Sequence, residues 1–159
     1  MTRRVTLTTY LDAPPDRVWA AANTTSLLRY VAAPLIVFRP RSPSVWPERW
    51  ADGEYVAAMR FFGVVPVGEQ VIAISRPEPR GDVRYLRDDG RGTGIERWDH
   101  WITIKPDGAG TSYEDRVEID AGARTAAVAA FARRFYAHRQ GRWRKLVSED
   151  FAPLSEQTA

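Results

Sequence analysis

The feature that most constrains the fold is a change of hydrophobic pattern near Gly122. Before it, residues 94–104 and 111–119 alternate in polarity and are joined by a Gly- and Pro-containing turn at 105–110, a pattern typical of a β-hairpin. After it, from residue 123 to about residue 150, apolar residues recur at spacings of three and four, which indicates a long helix. The chain therefore combines antiparallel strands with a long helix that follows them.

The predicted hairpin places an imidazole and a carboxylate on one face of the sheet. Because side chains alternate along a strand, one face of the first arm carries Glu96, Trp98, His100, Ile102 and Ile104. One face of the second arm carries Tyr113, Asp115, Val117 and Ile119. If the turn closes with Ile104 opposite Thr111, His100 lies opposite Asp115. A slip of one residue would send these two side chains to different faces.

The predicted helix presents one stripe to the sheet, formed by Val128, Phe131, Phe135, His138, Arg142 and Leu146. The run is longer than most globular helices, and Gly141 is a candidate position for a bend. Its last turns carry Arg139, Arg142, Arg144 and Lys145, which we interpret as a solvated end whose cations suit the helix dipole. Residues 152–159 are predicted to form a flexible tail.

Five further strands and two short helices are predicted in the earlier part of the chain. The strands cover residues 5–11, 35–38, 54–62, 69–75 and 82–87, and the helices cover 15–22 and 27–30. A Pro-rich loop carries Trp46 and Trp50, which either cover the core or border the mouth of a pocket. Since no repeat or linker divides these elements, we expect residues 1–151 to form a single domain.

Composition excludes several classes of function. The chain has no Cys, which rules out disulfides, thiolate catalysis and Cys-ligated zinc. Its 23 basic residues are offset by 20 acidic ones and no basic stripe is evident, so nucleic-acid binding is not predicted. No apolar run approaches the length of a membrane span, and we expect a soluble, cytoplasmic protein without integral membrane contact. The preference for Arg over Lys suggests a GC-rich bacterial genome.

Three stretches together resemble the SRPBCC superfamily, which includes START domains and polyketide cyclases. They are residues 13–19 (APPDRVW), 98–100 (WDH) with 110–117 (GTSYEDRV), and 135–143 (FYAHRQGRW). The resemblance implies an α+β helix-grip fold, in which a curved antiparallel sheet of about seven strands and two short helices enclose a cavity under a long C-terminal helix. Members of the superfamily use such a cavity to bind or transform hydrophobic small molecules. Fold alone does not identify the chemistry.

His100 and Asp115 are the sharpest candidates for catalysis. A carboxylate that orients an imidazole makes a general base, whereas a buried pair of this kind can also simply hold two strands together. Glu96 and Tyr113 are candidate acids for the same reaction. Glu96 is alternatively expected to form a structural ion pair with Arg87.

The other candidates are predicted to form the wall of a ligand-binding cavity. They are Tyr55, Met59, Phe61, Tyr85, Trp98, Tyr113, Phe131, Phe135 and His138. His100, His138, Asp115 and Glu96 include suitable metal-ligand types, but no compact spacing supports a metal site. Neither a metal nor another cofactor is predicted.

Two functions remain open from the sequence. One is a binding protein that holds a polyketide, lipid or aromatic metabolite without changing it. The other is an enzyme of the polyketide cyclase or dehydratase kind, with His100 as the base and Asp115 as the group that orients it. A role in binding a protein partner is a third, weaker possibility. The partner expected in the first two cases is a hydrophobic small molecule, and the sequence does not predict the oligomeric state.

Overall fold

The computed structural model describes residues 1–156 and contains a seven-stranded antiparallel sheet. Its strands are β1 (Arg3–Leu11), β2 (Ile36–Ser42), β3 (Gly53–Phe61), β4 (Val65–Ser75), β5 (Arg84–Gly92), β6 (Ile95–Asp107) and β7 (Gly110–Asp120). The helices are α1 (Pro15–Ala22), α2 (Thr25–Ala32), α3 (Thr125–Ser148) and α4 (Ala152–Glu156), and a 3₁₀ turn at Gly122–Arg124 precedes α3. The α+β helix-grip prediction is confirmed.

Local chemistry explains where the two short helices begin. Pro15 occupies the first turn of α1, where its missing N–H would have had no intrahelical partner. The side chain of Thr24 caps α2 by accepting a hydrogen bond of 3.2 Å from the backbone N–H of Leu27. Together α1 and α2 make the connection between β1 and β2, which lie at the two edges of the sheet.

The sheet order is β1-β7-β6-β5-β4-β3-β2, so consecutive strands from β2 to β7 are neighbours and β1 pairs with the last strand. The long helix α3 follows directly after β7 and packs across β1 and β7. Residues on its inner side join those of the sheet in a shared apolar cluster that includes Val117, Ile119, Ala132 and Tyr136. The sheet and helix therefore form two layers, and the cavity described below lies between them.

The β6–β7 hairpin has a register two residues away from the predicted one. Ile104 lies opposite Tyr113 rather than Thr111, and His100 lies opposite Val117 rather than Asp115. The reason is a tighter turn, because the two strands continue to the pair Asp107–Gly110 and Gly108 takes a φ of 57°. A slip of two residues keeps every side chain on its predicted face, so His100 and Asp115 still share one face.

The predicted ion pair between Arg87 and Glu96 is not formed. Strand β5 extends to Gly92 and places Arg87 opposite Trp101, where its guanidinium binds Asp99 at 2.8 Å. Glu96 is exposed just after the β5–β6 turn. The prediction assumed a longer loop than the chain uses.

The inner stripe of α3 is displaced by about one residue from the prediction. Its buried members are Thr125, Ala129, Ala132, Phe135, Tyr136, Arg139, Gln140, Trp143 and Leu146. Of the predicted stripe, Phe135 and Leu146 are buried, whereas Val128, Phe131, His138 and Arg142 are partly exposed. The apolar pattern misplaced the stripe because two long polar side chains, Arg139 and Gln140, lie on its inner side.

Two predictions for the end of the chain also differ from the structure. The long helix is continuous through Gly141 as far as Ser148. The segment expected to be a tail begins with the short helix α4, and Leu154 packs against the core. Residues 157–159 of that segment lie outside the described part of the chain.

Candidate functional site

A cavity of about 470 Å³ lies between the sheet and α3. Its lining residues are Leu28, Ile36, Phe38, Met59, Phe61, Val67, Gln70, Ile72, Asp88, Thr93, Ile95, Trp98, His100, Arg124, Ala127, Val128, Phe131, Phe135, Tyr136 and Arg139. The lining residues Thr93, Arg124 and Ala127 are exposed, so the mouth lies between the β5–β6 turn and the start of α3. Asp88, His100 and Arg139 also border a smaller cavity of about 50 Å³ beyond it. These three residues therefore mark the inner end.

Six of the sequence-predicted site residues line this cavity. They are Met59, Phe61, Trp98, His100, Phe131 and Phe135. The rings of Phe61 and Phe131 meet edge to face with centroids 5.6 Å apart, and Phe131 stacks on Phe135 at 5.7 Å. These aromatic residues form one continuous wall from the sheet to the helix.

The structure places the other predicted site residues away from the cavity surface. Tyr55 packs on Trp50, and its hydroxyl group exchanges hydrogen bonds with the backbone of Ala51. Tyr85 lies on the outer face of the sheet against Trp101, with ring centroids 6.2 Å apart. The hydroxyl of fully buried Tyr113 donates to Asp115.

His138 and Glu96 are also absent from the cavity lining. The Nε2 atom of His138 lies 2.8 Å from the carbonyl oxygen of Ala33, at the end of α2. Glu96 is exposed on the strand beyond Trp98. This placement gives no support to Glu96 as the acid of a reaction inside the cavity.

Asp115 is the hub of a buried hydrogen-bond network. Its Oδ1 lies 2.8 Å from His100 Nε2 and accepts a bond of 3.2 Å from the Tyr113 hydroxyl, while Oδ2 accepts a bond of 3.0 Å from Gln140 Nε2. Burial alone would raise the pKa of Asp115, but the hydrogen bonds from His100 and Gln140 and the charge of Arg139 hold that pKa below its usual value. Asp115 is therefore ionised at neutral pH.

The state of His100 follows from this carboxylate. Burial lowers the pKa of His100, and the opposing attraction of Asp115 does not fully compensate. A neutral ring beside an ionised carboxylate must carry its proton on Nε2, where it donates to Asp115. The other ring nitrogen, Nδ1, is then an acceptor without a protein partner among residues 1–156. His100 thus presents a free lone pair at the inner end of the cavity.

Tyr136 supports the His100 ring from the helix side. The two ring centroids lie 4.7 Å apart, and the Tyr136 hydroxyl accepts a hydrogen bond of 3.1 Å from Trp98 Nε1. Burial raises the pKa of Tyr136, so the phenol is neutral. Sequence reasoning missed Tyr136 because it lies one position beyond the predicted stripe.

Asp88 is a second carboxyl group in the cavity that sequence reasoning missed. The β4–β5 ladder has no pairs between Val71–Arg91 and Ile74–Asp88. In that gap the Asp88 side chain accepts a hydrogen bond of 2.7 Å from the backbone N–H of Ala73. Burial raises the pKa of Asp88 to about 7, although the Ala73 N–H and the charge of Arg139 act in the opposite direction. Asp88 therefore exchanges its proton near neutral pH.

Arg139 is the third polar residue of the inner end and contradicts the interpretation of a solvated helix end. Its side chain projects from α3 into the site and the residue is only 6% exposed. Its guanidinium lies over Tyr136 and Phe135, 5.0 and 5.7 Å from the ring centroids. Burial would lower the pKa of Arg139, but neighbouring acidic groups, including Asp115, raise it, so the group stays charged. The sequence signal for its burial is its position three or four residues from Phe135, Tyr136 and Trp143, which places it on the same side of the helix.

Comparison with known families places the chain in one of them. A family model described as "Domain of unknown function (DUF8410)" matches residues 9–147. The chain belongs to the DUF8410 family. No curated protein matches its sequence.

Solved structures show that the DUF8410 chain has a START-like fold. Protein CV1439 from Chromobacterium violaceum superposes with a TM-score of 0.65 at 18% identity, over 91% of this chain and 96% of that chain. A protein from Arthrobacter aurescens gives a TM-score of 0.67 at 13% identity, with coverages of 92% and 86%. A START superfamily protein from Mycobacterium smegmatis gives 0.64 at 10% identity, with coverages of 92% and 97%.

Two further findings concern metal-binding clusters and membrane-spanning helices. Within residues 1–156, no three His, Asp or Glu side chains lie close enough to hold a metal ion together. None of the described helices is both long and apolar enough to cross a membrane.

Proposed function

We propose that this protein binds a hydrophobic small molecule, such as a polyketide, lipid or aromatic metabolite, inside the cavity. The observation that carries the proposal is the cavity itself, whose volume of about 470 Å³ falls within the range of small-molecule sites. Most of its wall is apolar, with Asp88, His100 and Arg139 at the inner end and Thr93 and Arg124 at the mouth. A site of this composition draws its affinity from buried apolar surface and its orientation from a few polar contacts.

The START-like fold supports the same proposal, since the sheet and helix of this architecture leave room between them. The resemblance to SRPBCC ligand-binding proteins in residues 13–19 and 135–143 adds to it. Glu96, Tyr85 and His138 do not line the cavity, but the proposal does not depend on them, because a binding site needs only an apolar wall and a polar anchor.

Native mass spectrometry of the purified protein tests this function directly. We expect a co-purified apolar molecule, or uptake of an added apolar probe such as pyrenebutanol with one molecule per chain. A variant that fills the cavity, Val128→Trp, should lose the probe, because Val128 lines the wall. The matched control is Ala130→Trp, which adds the same ring at an exposed position of the same helix. Equal binding by both variants would contradict a ligand in this cavity.

A second candidate function is catalysis of the polyketide cyclase or dehydratase kind. The observation that favours it is the free Nδ1 of His100 at the cavity surface, with Asp115 holding the ring on the other side. In a dehydration, His100 would remove a proton from carbon next to a carbonyl while protonated Asp88 gives a proton to the departing hydroxyl, which leaves as water. Asp88 replaces Glu96 and Tyr113 as the acid, because only Asp88 borders the cavity.

The variant Asp115→Asn separates the two functions. For an enzyme, it should leave ligand binding nearly intact and lower turnover by orders of magnitude, since the amide holds the ring but cannot stabilise the imidazolium. For a binding protein, it should lower stability by about 1–3 kcal/mol and affect binding only through unfolding. Turnover that follows a deprotonation below neutral pH would match the lowered pKa of His100.

A further inference from the structure

We propose that the ligand is a monocarboxylate whose carboxylate group binds Arg139 at the inner end of the cavity, with its apolar body extending toward the mouth. This inference rests on the proposed function and adds the chemical class of the ligand. It is carried by the hydrogen-bonding state of Arg139, a buried cation without an acceptor among residues 1–156.

Arg139 is a buried cation whose hydrogen-bonding capacity is unused. The residue is 6% exposed, and its Nε atom is fully buried without an acceptor. Within the described chain, no carboxylate lies within ion-pair distance of it and no oxygen accepts a hydrogen bond from it. Guanidinium groups carry five donors and are seldom buried unless those donors are paired. The aromatic faces of Phe135 and Tyr136 offer attraction but no acceptor.

The acidic neighbours of Arg139 are committed to other partners. Both oxygens of Asp115 bind His100, Tyr113 and Gln140. Asp88 accepts from a backbone N–H and holds its proton for part of the time near neutral pH. An acceptor for Arg139 therefore has to come from outside residues 1–156, and Arg139 borders both the large cavity and the small one beyond it.

A carboxylate complements the guanidinium of Arg139 in shape and in charge. Its two oxygens accept two parallel hydrogen bonds from the guanidinium fork, a geometry that a hydroxyl or a ketone cannot supply. A monocarboxylate adds one negative charge beside the guanidinium, whereas a dianionic phosphate would add two to an apolar cavity that already lies close to ionised Asp115. The protonated form of Asp88 can stay beside such a group as a donor.

The position of Arg139 sets the orientation of the ligand. Because Arg139, Asp88 and His100 mark the inner end, the carboxylate would enter first and the apolar body would lie along Trp98 and Phe131. A rival anchor is Arg124 at the mouth, but its guanidinium is exposed and already donates to the carbonyl of Gly94 at 2.7 Å. An anchor at Arg124 would reverse the orientation.

A matched pair of fluorescent probes tests the inference. Pyrenebutanoate and pyrenebutanol share one apolar body and differ in the carboxylate. We expect the wild-type protein to bind pyrenebutanoate about ten- to a hundredfold more tightly, the range that a hydrogen-bonded charge pair supplies. Arg139→Gln should reduce this preference to about twofold or less. Arg133→Gln removes the same charge from the exposed side of the same helix and should preserve it.

Each outcome decides a separate point. If neither probe binds, the proposed function fails and this inference fails with it. If both bind equally to the wild type, the cavity binds apolar molecules but the carboxylate class is wrong. A preference abolished by Arg124→Gln and retained in Arg139→Gln would assign the anchor to the mouth instead. If Arg139→Gln does not fold by circular dichroism, Arg139→Lys provides the test. A severalfold lower preference for pyrenebutanoate in Arg139→Lys supports bidentate binding by the guanidinium. An unchanged preference overturns it.

Discussion

Buried charged side chains on the two sides of the central strands differ in whether they have ion-pair partners. On the outer face, Asp99 binds Arg87 at 2.8 Å and Arg97 at 3.1 Å, and Arg97 reaches Glu118 at 2.9 Å. On the inner face, Arg139 has no such partner in the described chain. Asp99, Arg87, Arg97 and Glu118 therefore satisfy one another on the outer face, whereas Arg139 has no acceptor among residues 1–156.

The two carboxyl groups Asp88 and Asp99 show the same contrast. They lie on neighbouring strands, and burial acts to raise the pKa of both. For Asp99 the hydrogen bonds and charges of Arg87 and Arg97 outweigh burial and lower the pKa. Asp88 has a backbone N–H instead, and its pKa rises to about 7. On the outer face two arginines therefore favour the ionised form of a buried carboxylate, whereas on the inner face burial favours the protonated form of Asp88.

The largest expected difference between the two faces is in the free energy of unfolding that is lost when one carboxylate is removed. Asp115→Ala should lower the free energy of unfolding by about 3–5 kcal/mol, because it leaves His100, Tyr113 and Gln140 buried without their acceptor. Glu118→Ala, on the outer face, should cost no more than about 1 kcal/mol since its partners reach water. Urea unfolding of both variants measures this difference. Equal costs would mean that the inner network is not the structural hub described here.

Truncation of apolar residues should separate the cavity wall from the packed core. Leu146→Ala removes a fully buried side chain away from the cavity and should cost about 2–5 kcal/mol. Phe131→Ala should cost less than about 2 kcal/mol, because one side of this partly exposed ring borders a hollow.

In probe binding, the order of the two effects should be reversed. Phe131→Ala should weaken pyrenebutanol binding, whereas Leu146→Ala should change it little under conditions where both variants are folded. Titration by fluorescence gives the affinities. A large loss of stability with unchanged affinity in Phe131→Ala would assign this residue to the core.

Asp88 should make stability fall with rising pH over a range where Asp99 does not. The pKa of Asp88 rises from 3.8 to about 7 on folding, so between these values the folded state holds a proton that the unfolded state has lost. Its contribution is fully present below about pH 4 and is lost as the pH rises through about 7. Charged groups that act on it are Arg139, Asp89 and Asp99.

The variant Asp88→Asn isolates this contribution. Relative to the variant, the wild type should lose on the order of 2 kcal/mol between pH 4 and pH 8, less than the full shift implies because Asp88 borders the cavity. Asp99→Asn should show the opposite sign, with stability of the wild type lost as the pH falls, since the pKa of Asp99 is lowered. Parallel stability curves for the wild type and Asp88→Asn would contradict a proton held by Asp88 in the folded state.

The apolar pattern of the sequence was sufficient for the fold and for half of the site. Period-two and period-3.6 patterns predicted the sheet and the long helix, and the shared face of His100 and Asp115 survived an error of two residues in register, because strand faces repeat every two residues. The wall residues Phe131 and Phe135 follow from the three- and four-residue spacing of apolar side chains in the predicted helix.

The polar residues of the inner end were missed because they violate that pattern. The sequence predicts a solvated Arg139 because cations near a helix C-terminus suit the helix dipole, whereas the structure buries this side chain. Asp88 fell in the predicted loop after residue 87, and its place in the sheet depends on a gap in the β4–β5 ladder that no local pattern encodes. Functional groups are where local rules and the fold disagree most often.

The smallest expected effects come from two tyrosines on opposite sides of the sheet, Tyr136 on α3 and Tyr85 on β5. Tyr136→Phe removes the acceptor of the Trp98 indole N–H inside the cavity and should cost about 1–2 kcal/mol. Tyr85→Phe, on the outer face against Trp101, should change stability by no more than about 0.5 kcal/mol and leave probe affinity unchanged. Urea unfolding and fluorescence titration of both variants measure this. Weaker probe binding in Tyr85→Phe would restore Tyr85 to the ligand site and would mean that the ligand contacts more of the sheet than the inner face.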